Sequence, residues 1–242
     1  MSSDIPSIDS ARARHAQWHE EREAALTRPQ GNLALIETRW YQPGAEIPDE
    51  DAVTPAPGTV TVTRLARADL DTGLQQEGLR LWDAASPAIR AFQGVDVYDY
   101  DPHWVVRGTY APLADGHTVP FEHLRDNGRT RELAVPGVIT VAIGGAEYRL
   151  SAFDDDGVLL LVFGDPTNRE STYASGRFLF VERASDEFAR AGEVVLDFNR
   201  AFVPPCGFSD QYNCPLPPPS NRLAVPVTAG EKRPRFAAGF EH

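Results

Sequence analysis

Lysine is almost absent from this sequence. Of its 23 basic residues, 22 are arginine, and Lys232 is the single lysine. A GC-rich genome accounts for the ratio but not for the position in Ala229-Gly230-Glu231-Lys232. An ammonium shifts its pKa far more readily than a guanidinium, so Lys232 joins the candidate site residues. A basic excess is missing too: the net charge is -12 and the pI near 4.9. Such a balance repels nucleic-acid phosphates and anionic lipid, so neither nucleic acid nor membrane is an expected partner. Long hydrophobic runs are lacking. The longest aliphatic stretch, 158–163, falls far short of the roughly 20 residues that span a bilayer, and the first residues show no apolar leader. The expectation is a soluble, cytoplasmic protein.

Cysteine is scarce, with Cys206 and Cys214 alone. A chain of 242 residues buries enough surface to fold without a disulfide or metal. The spacing of the pair is not that of a C-x-x-C knuckle, and zinc would need two further ligands. Reduced thiols, a disulfide and a weak metal site all stay open. His15 and His19 stand at i, i+4, but no H-E-x-x-H follows, and a solvated helix face explains them. Nucleophile elbows, phosphate-binding loops, dinucleotide fingerprints and zinc ribbons are also missing, which disfavours the ready-made enzyme classes and names no cofactor.

What is present reads as a mainly β chain, an antiparallel barrel or sandwich built from meander hairpins, with an N-terminal α-helix. Residues 11–27 are helical in pattern, with Ser10 as the N-cap and Pro29 and Gly31 as stops; the helix is expected to pack on the sheet. Residues 1–30 form a helical extension and 31–242 one β-rich domain, with a sub-lobe boundary near 43–58. That proline-rich and acidic stretch leaves no room for a regular element. LALIETRW (33–40) and VTVTRL (60–65) read as strands, whereas LQQEGLRLW (74–82) fits helix and strand templates equally. From residue 103 onward strands recur at 103–110, 130–135, 138–143, 146–153, 157–163, 176–183 and 193–198. Gly144-Gly145 and the Asp154 to Gly157 segment supply hairpin turns. A further strand is expected over 221–227.

Four groups of residues carry possible chemistry. Asp197 and Asn199 end a hydrophobic strand; two apart, they emerge on one face about 7 Å from each other, either in a cleft or as strand-ending caps. Asp165 and Thr167 bracket a proline turn, while Tyr173 and Arg177 offer a phenol and a fork suited to carboxylate or phosphate. Arg177 is placed to salt-bridge Asp197 across paired strands. The third group is Cys206 with Cys214, and the fourth is Pro215-Leu216-Pro217-Pro218-Pro219, a rigid loop that caps the barrel or covers an edge.

The stretch from Phe153 to Lys232 resembles an uncharacterised prokaryotic family, domain of unknown function 1684. The resemblance runs through Phe163-Gly164-Asp165-Pro166-Thr167, Thr172-Tyr173, Gly176-Arg177-Phe178-Leu179, Leu196 to Phe202, Pro204-Pro205-Cys206, Cys214 to Pro219, Asn221-Arg222-Leu223 and Ala229 to Lys232. Trp18-His19 to Leu26 and Gly31-Asn32-Leu33 resemble the family's opening segment. Departures are Asn32, Ala174-Ser175 and Phe202-Val203, where tryptophan, glycines and Tyr-Asn are expected. The resemblance implies a shared fold and transfers no reaction. Two functions remain. In one, a small ligand, anionic or metal-bound, binds a polar pocket at a barrel end formed by Tyr173, Arg177, Asp197, Asn199, Cys206, Lys232, Asp165 and Thr167. In the other, a non-catalytic module uses the same residues to lock the proline loop. An enzyme of unknown reaction, with hydrolase as its least improbable class, lacks an evident nucleophile and base. The balance favours ligand binding, because a mixed polar cluster is expensive to bury merely as a lock.

Overall fold

The computed structural model describes residues 7–53 and 58–240. Its strands and helices run in chain order as α1 (Ile8–Leu26), β1 (Leu35–Trp40), α2 (Glu50–Val53), β2 (Val60–Ala68), β3 (Gln75–Asp83), α3 (Pro87–Ala91), β4 (Phe92–Val97), β5 (Val105–Pro112), β6 (Thr118–Glu122), β7 (Thr130–Ala134), β8 (Gly137–Ile143), β9 (Ala146–Asp155), β10 (Val158–Phe163), β11 (Arg177–Arg183), β12 (Gly192–Asp197) and β13 (Glu231–Phe236). Packing divides the chain into two units, one of residues 1–20, 95–204 and 213–233, the other of 21–94, 205–212 and 234–242.

The first unit is built on a closed barrel of six antiparallel strands in the order β10-β11-β12-β5-β8-β9. Sequence neighbours are also ring neighbours once the β6–β7 ribbon, inserted between β5 and β8, is set aside, so the barrel is a meander as the strand spacing implies. Alternation fills it: Ile139, Val141, Leu150, Leu159, Leu161, Leu179, Val194 and Leu196 all point into one core. β10 is buried on both faces, with Leu160 and Val162 also covered. The Gly144-Gly145 turn takes φ of 59° and 83°, and Asp156-Gly157 takes 54° and 86°, the positive values a tight hairpin turn demands. Strand direction then gathers the starts of β5, β9 and β11 and the ends of β8, β10 and β12 at one barrel end.

The second unit holds a three-stranded sheet, β1-β3-β2. Gly78 of the central strand is required there, since a Cβ would lie 2.6 Å from the Arg39 carbonyl oxygen.

Several local expectations change. Ser7, not Ser10, caps α1, its Oγ accepting from the Ser10 amide at 3.2 Å. A 3-10 turn at Asn32–Ala34 precedes β1, and 74–82 resolves as strand β3. The proline-rich loop contains one helical turn, α2; its Pro55 and Pro57 lie outside the described residues. The ribbon strand at 130–135 pairs with β6 outside the barrel. No strand forms over 221–227: Asn221 and Leu223 make only an isolated backbone bridge to Gly164, Ala224 and Val227 bond side chains, and Pro226 lacks an N–H.

Candidate functional site

The barrel end that gathers 163, 177 and 197 also gathers most of the candidate side chains. Arg177 opens β11 opposite Phe163, so alternation turns it inward beneath Leu179, and it is fully buried. Its guanidinium donates to the Val227 carbonyl at 2.8 Å, to those of Ala229 and Glu231, and to Asp165 Oδ2 at 3.0 Å. Burial lowers the Arg177 pKa and Asp165 opposes that shift. The expected pairing with Asp197 does not occur: β11 meets β12 only at Glu182↔Val195 and Arg183↔Val194, far along the strand from Arg177.

Asp165 is used up by the same network. Its Oδ1 accepts from the Thr167 amide at 2.9 Å, the Thr167 hydroxyl at 2.6 Å and the Val227 amide at 3.1 Å. Thr167 Oγ1 lies 2.9 Å from Thr172 Oγ1. Segment 222–230 is therefore a strap held across the barrel end by one buried ion pair and its satellites.

Two asparagines repeat one device. Asn199 accepts from the Asp101 amide and donates to the Asp101 carbonyl, each at 2.9 Å. Asn221 accepts from the Ser151 amide at 2.9 Å and donates to the carbonyls of Ser151 at 2.7 Å and Val162 at 2.8 Å. A side-chain amide carries the donor and acceptor of a peptide group, so each substitutes for a strand neighbour. Asp197 caps the 3-10 turn Phe198–Arg200, accepting from the Asn199 amide and Nδ2 at 3.2 and 2.9 Å. It is the strand-ending role, not the cleft role.

The histidines of α1 are not on a solvated face. His15 is buried, stacked on Trp18, and its Nε2 sits 2.9 Å from the Asn199 carbonyl oxygen; burial lowers its pKa. His19 Nδ1 lies 4.0 Å from Oε1 of the buried Glu231, whose Oε2 accepts from the Val203 amide at 2.8 Å. The inward face of α1 is thus partly polar, which hydrophobic spacing cannot register. Lys232 stands apart, its Nζ 4.3 Å from the Tyr98 ring centre, while Tyr98 Oη is 2.7 Å from Ser171 Oγ. Tyr173 is half-buried, and its carbonyl accepts from Asn168 Nδ2. Cys206 and Cys214 are buried thiols. Among the described residues no group of three or more His, Cys, Asp or Glu is placed to hold a metal, and no helix is long and apolar enough to cross a membrane.

Two openings flank the strap. One is a cleft of about 550 Å³ bounded by Gly164, Asp165, Asn168, Arg169, Ala174, Ser175, Gly176, Pro217, Arg222 and neighbouring apolar residues. The proline loop forms one wall by close approach: Gly176, at φ 93°, would place a Cβ 2.6 Å from Pro217 Cγ. Asp165 and Asn168 are spent internally. Arg169 and Arg222 are exposed, and among the described residues neither guanidinium meets an acidic side chain. The other opening, of about 630 Å³, lies between β5 and β8. Sequence reasoning missed Asn221 and Glu231 as structural groups and Arg169, Ser175 and Arg222 as cleft groups. Asn221-Arg222 and Glu231 stood only within the family resemblance.

No curated protein matches this chain. Among solved structures, an uncharacterised protein of Haloarcula marismortui, determined in solution by NMR, is 33% identical; the match covers 58% of this chain and 77% of that one, with a TM-score of 0.48. A family profile matches residues 90–232, which takes in the barrel, the strap and both openings but not the Trp18 to Leu33 segment. With more than half its length matched, the chain belongs to the family described as Protein of unknown function (DUF1684).

Proposed function

We propose that the protein binds a small anionic ligand, a carboxylate or phosphate, in the cleft between the Gly164–Gly176 segment and the proline loop. The observation that carries this reading is the pair of arginines at the rim, Arg169 and Arg222, which have no acidic partner among the described residues of a chain whose net charge is -12. Planar guanidinium forks suit bidentate anion recognition, and the Ser175 hydroxyl adds a donor on the same wall. The buried ion pair and the asparagine clamps are the scaffold that fixes the cleft walls. Two buried thiols fit a reducing, cytoplasmic compartment.

A second reading follows from the internal satisfaction of Asp165, Arg177, Asn199 and Thr167: the polar cluster is a lock, and the protein a non-catalytic module. Calorimetric titration of the whole chain with inorganic phosphate and with citrate separates the two. Saturable binding of either, weakened at least about tenfold (~1.4 kcal/mol) in Arg169→Ala/Arg222→Ala without a change of melting temperature, is the expected result. No heat from either anion overturns the ligand reading in favour of the lock.

A further inference from the structure

The chain from Thr167 to Glu170 makes a tight turn, the Glu170 amide donating to the Thr167 carbonyl at 3.1 Å. Its third residue, Arg169, takes φ 73°. A type II turn reserves that corner for glycine or asparagine, because any larger side chain is crowded there by its own backbone. Among the described residues the other non-glycine residues with positive φ are Asn127 and Asp156, the short polar types that tolerate it. Arg169 is the exception. Its guanidinium is exposed at the rim of the cleft and bonds nothing in the turn, so no contact of its own side chain offsets the strain on its backbone.

The turn is held from outside. Arg233, on β13, donates from Nε to the Thr172 carbonyl at 3.2 Å, and from Nη2 to the Glu170 carbonyl at 3.0 Å and to that of Arg169. From within, the Thr167 carbonyl also accepts from the Ser171 and Thr172 amides, each at 3.0 Å. One guanidinium fork thus grips three carbonyls of the loop, and one of them belongs to the strained residue itself. A conformation this costly persists where its surroundings over-determine it, and such positions gather at ligand clamps.

We infer that Arg169 contacts the anion from a backbone kept under strain for that purpose, and that Arg233 is its positioning residue, acting through the Arg169 carbonyl and not on the ligand. The inference rests on the anion cleft proposed above and adds to it the device that sets one of its two arginines. A glycine at 169 would suit the turn and leave the cleft short of a fork. The arginine does the reverse.

The test is calorimetric titration of whole-chain variants with inorganic phosphate and with citrate, beside their melting curves. Arg169→Gly should weaken anion binding at least about threefold through the loss of a charge-assisted bond. The same variant should raise the melting temperature by about 2–4 °C as the strain is removed, whereas Arg169→Ala, which keeps a Cβ, should weaken binding and leave the melting temperature in place. Arg233→Ala and Arg233→Lys should both weaken binding about threefold, since an ammonium keeps the charge but cannot span three carbonyls. Neither should weaken it further in the Arg169→Gly background, the mark of two residues acting as one unit. Native affinity in Arg169→Gly, or a melting temperature that does not rise, overturns the inference. Rescue by Arg233→Lys overturns it too, by making Arg233 a source of charge alone, as does an equal loss from Arg233→Ala with and without Arg169. A native protein that binds neither anion overturns the cleft reading and this inference together. Binding by the native protein that survives intact in Arg169→Gly overturns this inference alone.

Discussion

The barrel wall parts at three seams at the same end, β9–β10, β5–β8 and β11–β12, and the first two are treated in opposite ways. Between β9 and β10 the ladder ends at Ala152↔Leu161, and the Asn221 amide enters the gap to bond Ser151 and Val162 where strand pairing stops. Between β5 and β8 it ends at Gly108↔Val141, and the strap contributes only Val225 and Pro226 beside the opening. One gap is closed by a polar group that replaces backbone bonds, the other left open. A parting is structural where something satisfies its edges.

The comparison can be broken from its closed side first. Arg177→Ala should have the largest effect, because it leaves the Asp165 carboxylate buried without its cation and releases two strap carbonyls and that of Glu231 at the start of β13. A loss of about 3–5 kcal/mol is expected in urea unfolding. Asn221→Ala should cost about 1–3 kcal/mol, since Ser151 and Val162 lose bonds in a buried gap; hydrogen exchange should then rise at Ser151 and along the strap while β5 and β8 stay protected.

Acid should weaken the fold by a smaller amount. His15 bonds the Asn199 carbonyl and His123 that of Phe121, and burial lowers the pKa of both. Asp197, His19 and Arg200 face His15, and Asp126 and Arg131 face His123. With folded pKa values below the unfolded one, the unfolded chain takes up protons first. Stability is therefore full above the ordinary histidine value of about 6.5 and falls as pH drops through it. Melting curves from pH 7.5 to 5 should show this loss, and His15→Gln should reduce the slope. Ala142→Trp, which covers the open side, should change stability least, within about 0.5 kcal/mol.

Much of the barrel was legible in advance. β8, β9, β10, β11 and β12 fall within a residue or two of their expected bounds, because β-branched alternation and paired turn glycines are local signals. Strands β4, β6 and β13 were not legible: Phe92–Val97, Thr118–Glu122 and Glu231–Phe236 are short and polar or proline-bearing, and they are strands only because a partner lies beside them. The candidate site was half legible. Asp165, Thr167, Arg177 and Asn199 do meet at one barrel end, but nothing in their spacing distinguishes a side chain that faces a ligand from one that faces the chain's own carbonyls.

The sequence by itself determined the class and the meander, since periodicity and turn chemistry act within a few residues. Only the tertiary structure decided that Arg177 pairs with Asp165 and not Asp197, that Asn221 closes one gap, and that Arg169 and Arg222 stand at a cleft with no acidic partner of their own among the described residues. Those outcomes depend on groups tens of residues apart meeting in one low-dielectric place, where a charge must find a partner and a spare donor is left facing water.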